Sequence, residues 1–179
     1  MTILCAVYDA DARKFWLGCN SGGLVGDTIL PEHGTKWLRF TKWAVAVSGL
    51  GIVRDLLEAE RAKFPNQSSD ISQVSNFIRT TFGKYEFGEM SEGAKDYDIC
   101  GLIAHSEGTL HHLDRRLSAS RIPQGAMWAC GSGMEFALGA DMALKTKGFS
   151  AQERIETAVL AAIDLDSGCP GEPIVESFG

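Results

Sequence analysis

No apolar run in this sequence approaches the roughly 20 residues needed to cross a bilayer, and no membrane partner is expected. Basic residues are also short. There are 17 Lys and Arg against 23 Asp and Glu, for a formal net charge of -6. With no basic run to offset it, that balance argues against a nucleic-acid surface. Cysteine is sparse. Cys5, Cys19, Cys100, Cys130 and Cys169 are odd in number, widely spaced and form no CxxC. A disulfide framework is therefore not expected, and a reduced, cytoplasmic setting is. The N-terminus has no basic n-region and no cleavage site, so no secretory signal is expected. Histidine offers no metal set. His111 and His112 are adjacent and on a strand would point to opposite faces, while His33 and His105 have no readable partner. No metal and no organic cofactor are assigned. Internal repeats and low-complexity segments are absent.

What is present suits one domain over residues 1–179 with a sizeable core. Hydrophobic residues make up 45% and charged residues 22%, the balance of a soluble globular chain. The stretch Met1-Thr2-Ile3-Leu4-Cys5-Ala6-Val7 carries no charge and reads as a buried strand. Thr2 is small, and an initiator Met before a small residue is commonly trimmed. Trimming would give Thr2 both a hydroxyl and a free α-amine, a nucleophile with its own base.

Residues 3–8 and 15–20 read as a hairpin, followed by glycines at 22, 23 and 26 and a turn from Pro31 to Gly34. Residues 36–40 and 43–48 read as a second hairpin, with Trp37 and Trp43 read as core or, if the hairpin is exposed, as subunit contact. Residues 51–64 take helical spacing, with Ile52, Leu56, Leu57 and Phe64 on one face, and Pro65 ends the helix. Ser69 or Asp70 caps a second helix through Phe82, and residues 83–97 read as a long connection. Strands are expected at 98–105, 109–113 and 126–130. A third helix follows over 134–147, a fourth from a capping box at Ser150-Ala151-Gln152-Glu153 to about Ile163, and a last strand over 174–178. Neither helix pair sits in an alternating βαβ unit, so two stacked sheets with helices outside are expected instead of a doubly wound sheet.

Four landmarks share one order: Thr2, a Gly-rich turn after the second strand, Lys36, and Gly49 after the strand 44–48. In that order the chain resembles the proteasome β-subunit family, including the HslV peptidase. These are N-terminal nucleophile hydrolases of the α+β class with a four-layer αββα sandwich. The resemblance implies that Thr2 is the nucleophile and Lys36 the catalytic lysine. It places the oxyanion-hole N–H on Gly49, after Ser48. Gly131-Ser132-Gly133 falls on the family's Gly-Ser-Gly, where Ser132 supports the nucleophile's amine. Asp164, Ser167 and Gly168 fall on its Asp-x-x-Ser-Gly motif, and Asp166 is expected to face solvent.

Asn20 departs from the pattern, because it stands where the family has an aspartate. The resemblance implies a threonine-type peptidase acting on peptide or unfolded protein within a homo-oligomeric ring, with a possible ATP-dependent unfoldase as partner. Asn20 motivates the alternative, a weak or inactive proteasome-fold scaffold. It also carries the expectation that Asn20→Asp would raise activity. Gly49→Val is expected to leave the fold largely intact.

Overall fold

The computed structural model describes residues 2–25, 28–30, 34–49, 52–91 and 93–179, with residues 24, 25 and 28–30 described by backbone alone. His33 and most of the turn expected from Pro31 to Gly34 lie outside the described residues, as do Met1 and Gly26.

Two antiparallel sheets stack face to face. The first has the order β12-β1-β2-β13, from Trp128–Gly131, Ile3–Asp9, Lys14–Asn20 and Pro173–Phe178. The second has the order β11-β10-β9-β6-β5, from Ala119–Ile122, Thr109–Leu113, Cys100–His105, Trp43–Ser48 and Leu38–Arg39. Helices α1 (Ile52–Ala59) and α2 (Ile71–Lys84) cover the second sheet, and α3 (Met134–Lys145) and α4 (Ala151–Leu165) cover the first. Two small hairpins, β3–β4 (Gly23–Val25 and Thr28–Leu30) and β7–β8 (Glu89–Ser91 and Ala94–Asp96), stand apart from the main sheets. The expected α+β, four-layer arrangement is the one observed.

The first strand shows why its run carries no charge. Leu4 and Ala6 face the core between the sheets, while Ile3, Cys5 and Val7 face α3 and α4. A central strand covered on both faces leaves no position for a charge. Paired to β12 on one side and β2 on the other, β1 has no free edge.

Helix α4 opens at the Ser150–Glu153 capping box, each residue satisfying the other's orphan donor. Asp70 caps α2 by accepting from Ser72 N at 2.8 Å. Buried Asp141 on α3 and Arg154 on α4 join the two helices, with Arg154 Nε donating to Asp141 Oδ1 at 2.6 Å.

Several expectations are corrected. The helix expected over 51–64 is α1 followed by a 3-10 turn at Arg61–Lys63. Phe64 precedes Pro65 and is extended, with ψ 138°, as the proline ring demands of its predecessor. Ile52 is 53% exposed, because Val53 is the residue that packs under the first turn. The connection at 83–97 contains the β7–β8 hairpin, whose first strand is exposed throughout and so gives no hydrophobic alternation. Edge strand β11 was hidden for the same reason: only Ile122 in it is buried. Of the two readings of Trp37 and Trp43, the structure gives core: both are buried, so the hairpin does not expose them. Their indole N–H groups donate to Gly18 O at 3.3 Å and Ser68 O at 2.8 Å.

Candidate active site

The site forms where β1 begins and β2 ends. Thr2 precedes β1, and the β1–β2 register sets Leu4 against Cys19, which brings Thr2 to the level of Asn20 and the loop after it. Lys36 arrives on the segment leading to β5. Its two neighbours fix that segment: Thr35 Oγ1 donates to Glu176 Oε1 on β13 at 2.8 Å, and Trp37 Nε1 donates to Gly18 O on β2.

Thr2, Asn20 and Lys36, which the resemblance had linked, meet in one hydrogen-bonded cluster. Thr2 Oγ1 donates to Asn20 Oδ1 at 3.0 Å and accepts from Lys36 Nζ. Lys36 Nζ also donates to Asn20 Oδ1 at 3.0 Å and to Gly22 O at 2.7 Å. Ile3 N adds a further bond to Asn20 Oδ1 at 3.0 Å. The amide nitrogen of Asn20 donates to Gly22 O at 3.0 Å and to Pro170 O at 2.8 Å. Asn20 is fully buried, and both ends of its amide are used. The alternative amide orientation would set an NH2 group against three donors, so this environment selects the orientation observed.

The loop after Asn20 docks tightly on the segment before β13. Gly22 N donates to Pro170 O at 3.1 Å, and Ser21 N to Glu172 O at 2.8 Å. A Cβ at Gly22 would lie 2.6 Å from Pro170 O, so this approach requires glycine. Gly131 plays the same part behind Thr2. Its φ is +108°, and a Cβ there would fall 1.8 Å from Thr2 O and 3.3 Å from Ser48 Oγ. Residue 131 thus closes the wall between β1 and the Ser48–Gly49 turn.

The remaining expected residues are placed as follows. Gly49 ends β6 in an exposed turn with φ +142°. A Cβ at Gly49 would stand 2.8 Å from Ile99 Cγ2, so Gly49→Val would disturb the core at Ile99 and would not leave the fold untouched. Ser132 is exposed, and its Oγ lies 3.7 Å from Cys169 Sγ. Asp164 and Ser167 are both exposed.

Asp166, expected toward solvent, is instead half-buried. It accepts from Gly168 N at 2.8 Å and from Cys169 Sγ at 3.2 Å. Burial pushes its carboxyl up, but hydrogen bonds from Ser132, Gly168 N–H and Cys169 outweigh that and hold it below the usual carboxylate range. Cys169 is pushed up to about 11 by burial, with the Asp166 charge adding to the effect. Asp166, Cys169 and Pro170 are the residues that sequence reasoning missed. The available signal was the Asp-x-Gly of 166–168, an Asx-turn pattern that turns the carboxylate back onto its own backbone.

Among the described residues no group of three or more His, Cys, Asp or Glu is placed to hold a metal. No helix among them is long and apolar enough to cross a membrane.

The chain matches no protein-family model and no curated protein. Solved structures do match it. Two are of Thiobacillus denitrificans BPH, one of them in complex with epoxomicin. Both are 18% identical with a TM-score of 0.78, covering all of this chain and 100% or 99% of theirs. A third is the eukaryotic HslV from Trypanosoma brucei, 17% identical with a TM-score of 0.70 and 98% of each chain covered. End to end, this chain has the fold of the proteasome-type proteins BPH and HslV.

Proposed function

We propose that the chain is a threonine-type peptidase of the proteasome type, with Thr2 as nucleophile after removal of Met1. The observation that carries this reading is the convergence of Thr2 Oγ1, Lys36 Nζ and Asn20 Oδ1 in one buried cluster at the start of a central strand. The fold shared with BPH and HslV supports it.

In this reading Thr2 Oγ attacks the peptide carbonyl carbon and its proton passes to the freed α-amine, directly or through a water. The Lys36 ammonium beside Oγ favours the developing alkoxide. Gly49 N–H receives the oxyanion, a contribution typically worth about 2.7–4 kcal/mol. The C–N bond breaks with the proton delivered to the leaving amine. Water then cleaves the acyl ester and restores Thr2. Asn20 had motivated the scaffold alternative, yet it engages both Thr2 and Lys36, which supports the catalytic reading.

The working form is a cytoplasmic homo-oligomeric ring of single-domain subunits acting on peptide or unfolded protein, with an ATP-dependent unfoldase as a candidate partner. Ser132 and Asp166 steady the α-amine side of the site, a role for which Asp166 is better placed than exposed Asp164.

The test is intact mass of the protein from its native cell, followed by treatment with epoxomicin, the compound held by one Thiobacillus structure. Absence of Met1 and a covalent adduct on Thr2 are expected. Retention of Met1 in most molecules, or a Met1-free chain that Thr2-directed electrophiles leave unmodified, would overturn the peptidase reading.

A further inference from the structure

Strand β13 breaks its own pattern at one position. Ile174 and Phe178 turn inward to the core between the sheets, and Val175 turns outward to the layer under α4. Alternation therefore turns residue 176 inward as well. That residue is Glu176, set opposite the core residue Leu17 on β2. A carboxylate at a core-facing position costs stability unless it is partnered. Glu176 is half-buried, and both of its oxygens are used. Oε1 accepts from Thr35 Oγ1 at 2.8 Å, and Oε2 lies 2.8 Å from Arg39 Nη2.

These two partners flank Lys36. Strand β13 is an edge of the first sheet and β5 an edge of the second, so Glu176 bridges the sheets where both end. The segment carrying Lys36 has no ladder of its own. Strand β5 pairs with β6 only through Leu38 with Val45 and Arg39 with Ala44, and Thr35, Lys36 and Trp37 lie ahead of it. Side chains hold them instead. Thr35 Oγ1 accepts from Trp37 N at 3.2 Å, which closes a turn around Lys36. Lys36 N donates to Cys19 Sγ at 3.4 Å. A hydroxyl has one proton to give. Giving it to Glu176 leaves the Thr35 lone pairs for Trp37 N–H.

We propose that Glu176 is a positioning residue: through Thr35 it locks the turn that aims the Lys36 ammonium at Thr2 Oγ1. The proposal rests on the peptidase reading, in which Lys36 acts on Thr2. The Arg39 arm contributes less, because its side chain is 42% exposed and exposed ion pairs are weak. An inward acidic residue on an edge strand also discourages edge-to-edge pairing. That role ends at β13, whereas a clamp on the Lys36 segment is felt at Thr2, and the experiment separates the two.

The experiment measures the rate of Thr2 modification by epoxomicin in the full-length, Met1-free protein and its variants. Glu176→Ala and Thr35→Val should each slow labelling at least about tenfold, since a catalytic group displaced by about 1 Å loses on the order of 100-fold. Glu176→Gln should label within about threefold of the parent, because its amide oxygen still accepts from Thr35. In a Lys36→Ala background, adding Glu176→Ala should slow labelling no further. Amide exchange at Trp37, which needs no activity, should quicken at least about tenfold in Glu176→Ala and stay parental in Glu176→Gln. Parental labelling in Glu176→Ala, a Gln variant as slow as the Ala variant, a full further loss on top of Lys36→Ala, or unchanged Trp37 exchange would overturn the proposal. A parent protein left unmodified by epoxomicin would overturn the peptidase reading instead, with Trp37 exchange still deciding whether Glu176 holds the segment.

Discussion

Asn20 donates its amide nitrogen to the Pro170 carbonyl at 2.8 Å, tying the end of β2 to the segment that leads into β13. A second bond from the same nitrogen goes to Gly22 O. No aspartate can make either bond, because a carboxylate only accepts. Asn20→Asp would gain a charge-assisted bond to Lys36 but would set a carboxylate against two carbonyl oxygens. The expectation that this change raises activity is therefore withdrawn. Both carbonyls keep a second donor, Gly22 N–H on Pro170 O and Lys36 Nζ on Gly22 O, so the loss is that of the two Asn20 bonds, about 0.5–1.5 kcal/mol each, with the repulsion of a buried carboxylate facing two carbonyls added. A fall in Tm of several degrees is predicted, at about 2–4 °C per kcal/mol for a chain of this size. Thermal unfolding of Asn20→Asp beside the parent checks it. An unchanged or raised Tm would show that the Lys36 ion pair outweighs the two lost donors.

Lys36 is the one cationic side chain seen to touch Thr2 Oγ1 among the described contacts. Lys36→Ala removes that charge and leaves Gly22 O without one of its donors. Under the proposed function, epoxomicin labelling of Thr2 should slow by on the order of 100-fold, the scale seen when a catalytic group is lost or misplaced. Labelling at the parental rate would place the activating group elsewhere.

His105 and His111 share one face of the second sheet, across the β9–β10 pair. Burial lowers both below the usual histidine value. Around His105, Glu107 opposes that shift and Lys42 adds to it; around His111, Arg121 and His105 add to it. Each histidine is therefore neutral in the fold at a pH where the unfolded chain already binds a proton. The sign follows: stability is full above the unfolded value of about 6.5 and falls as pH drops below it. Tm measured from pH 8 down to pH 5 should decline in that lower window. His111→Asn should flatten the slope, and an identical slope in that variant would assign the decline to other groups.

Asp141 and Arg154 are both buried, and Arg154 Nε and Nη2 each lie 2.6 Å from Asp141 Oδ1. Breaking such a pair from one side strands a buried charge, at about 3–5 kcal/mol. Asp141→Asn is predicted to destabilise strongly, and Asp141→Leu with Arg154→Met to cost less than Asp141→Leu alone. Urea unfolding of the variants tests this, and additive losses would show that the pair is not coupled.

The parts legible in the sequence were those governed by local rules. The uncharged run at 3–7 revealed a strand covered on both faces, and Ser150 with Glu153 revealed the start of α4. Lys36 and Thr2 could be paired only through resemblance, and the structure brings them into contact. The role of Asn20 was not legible, because its partner Pro170 is 150 residues away and contributes a backbone carbonyl. A carbonyl leaves no trace in residue identity. Asp166 was misread because two acidic residues, Asp164 and Asp166, flank the end of one helix. Only the turn at Gly168 decides which of them points inward. Strands β7, β8 and β11 carry few buried side chains, so their pairing left no periodic signal.

The placement of β1 between β2 and β12 also sets an order of events during synthesis. Only the β1–β2 hairpin is local. The seam on the other side of β1 waits for residues 128–131, and the clasp on Asn20 waits for Pro170. Contacts this far apart in the chain form late and slowly. A nascent chain on the ribosome therefore carries Thr2 long before it carries the surroundings that give Thr2 its geometry. The cluster at Thr2 is a product of completed folding, so its assembly reports that nearly the whole chain has been made and packed.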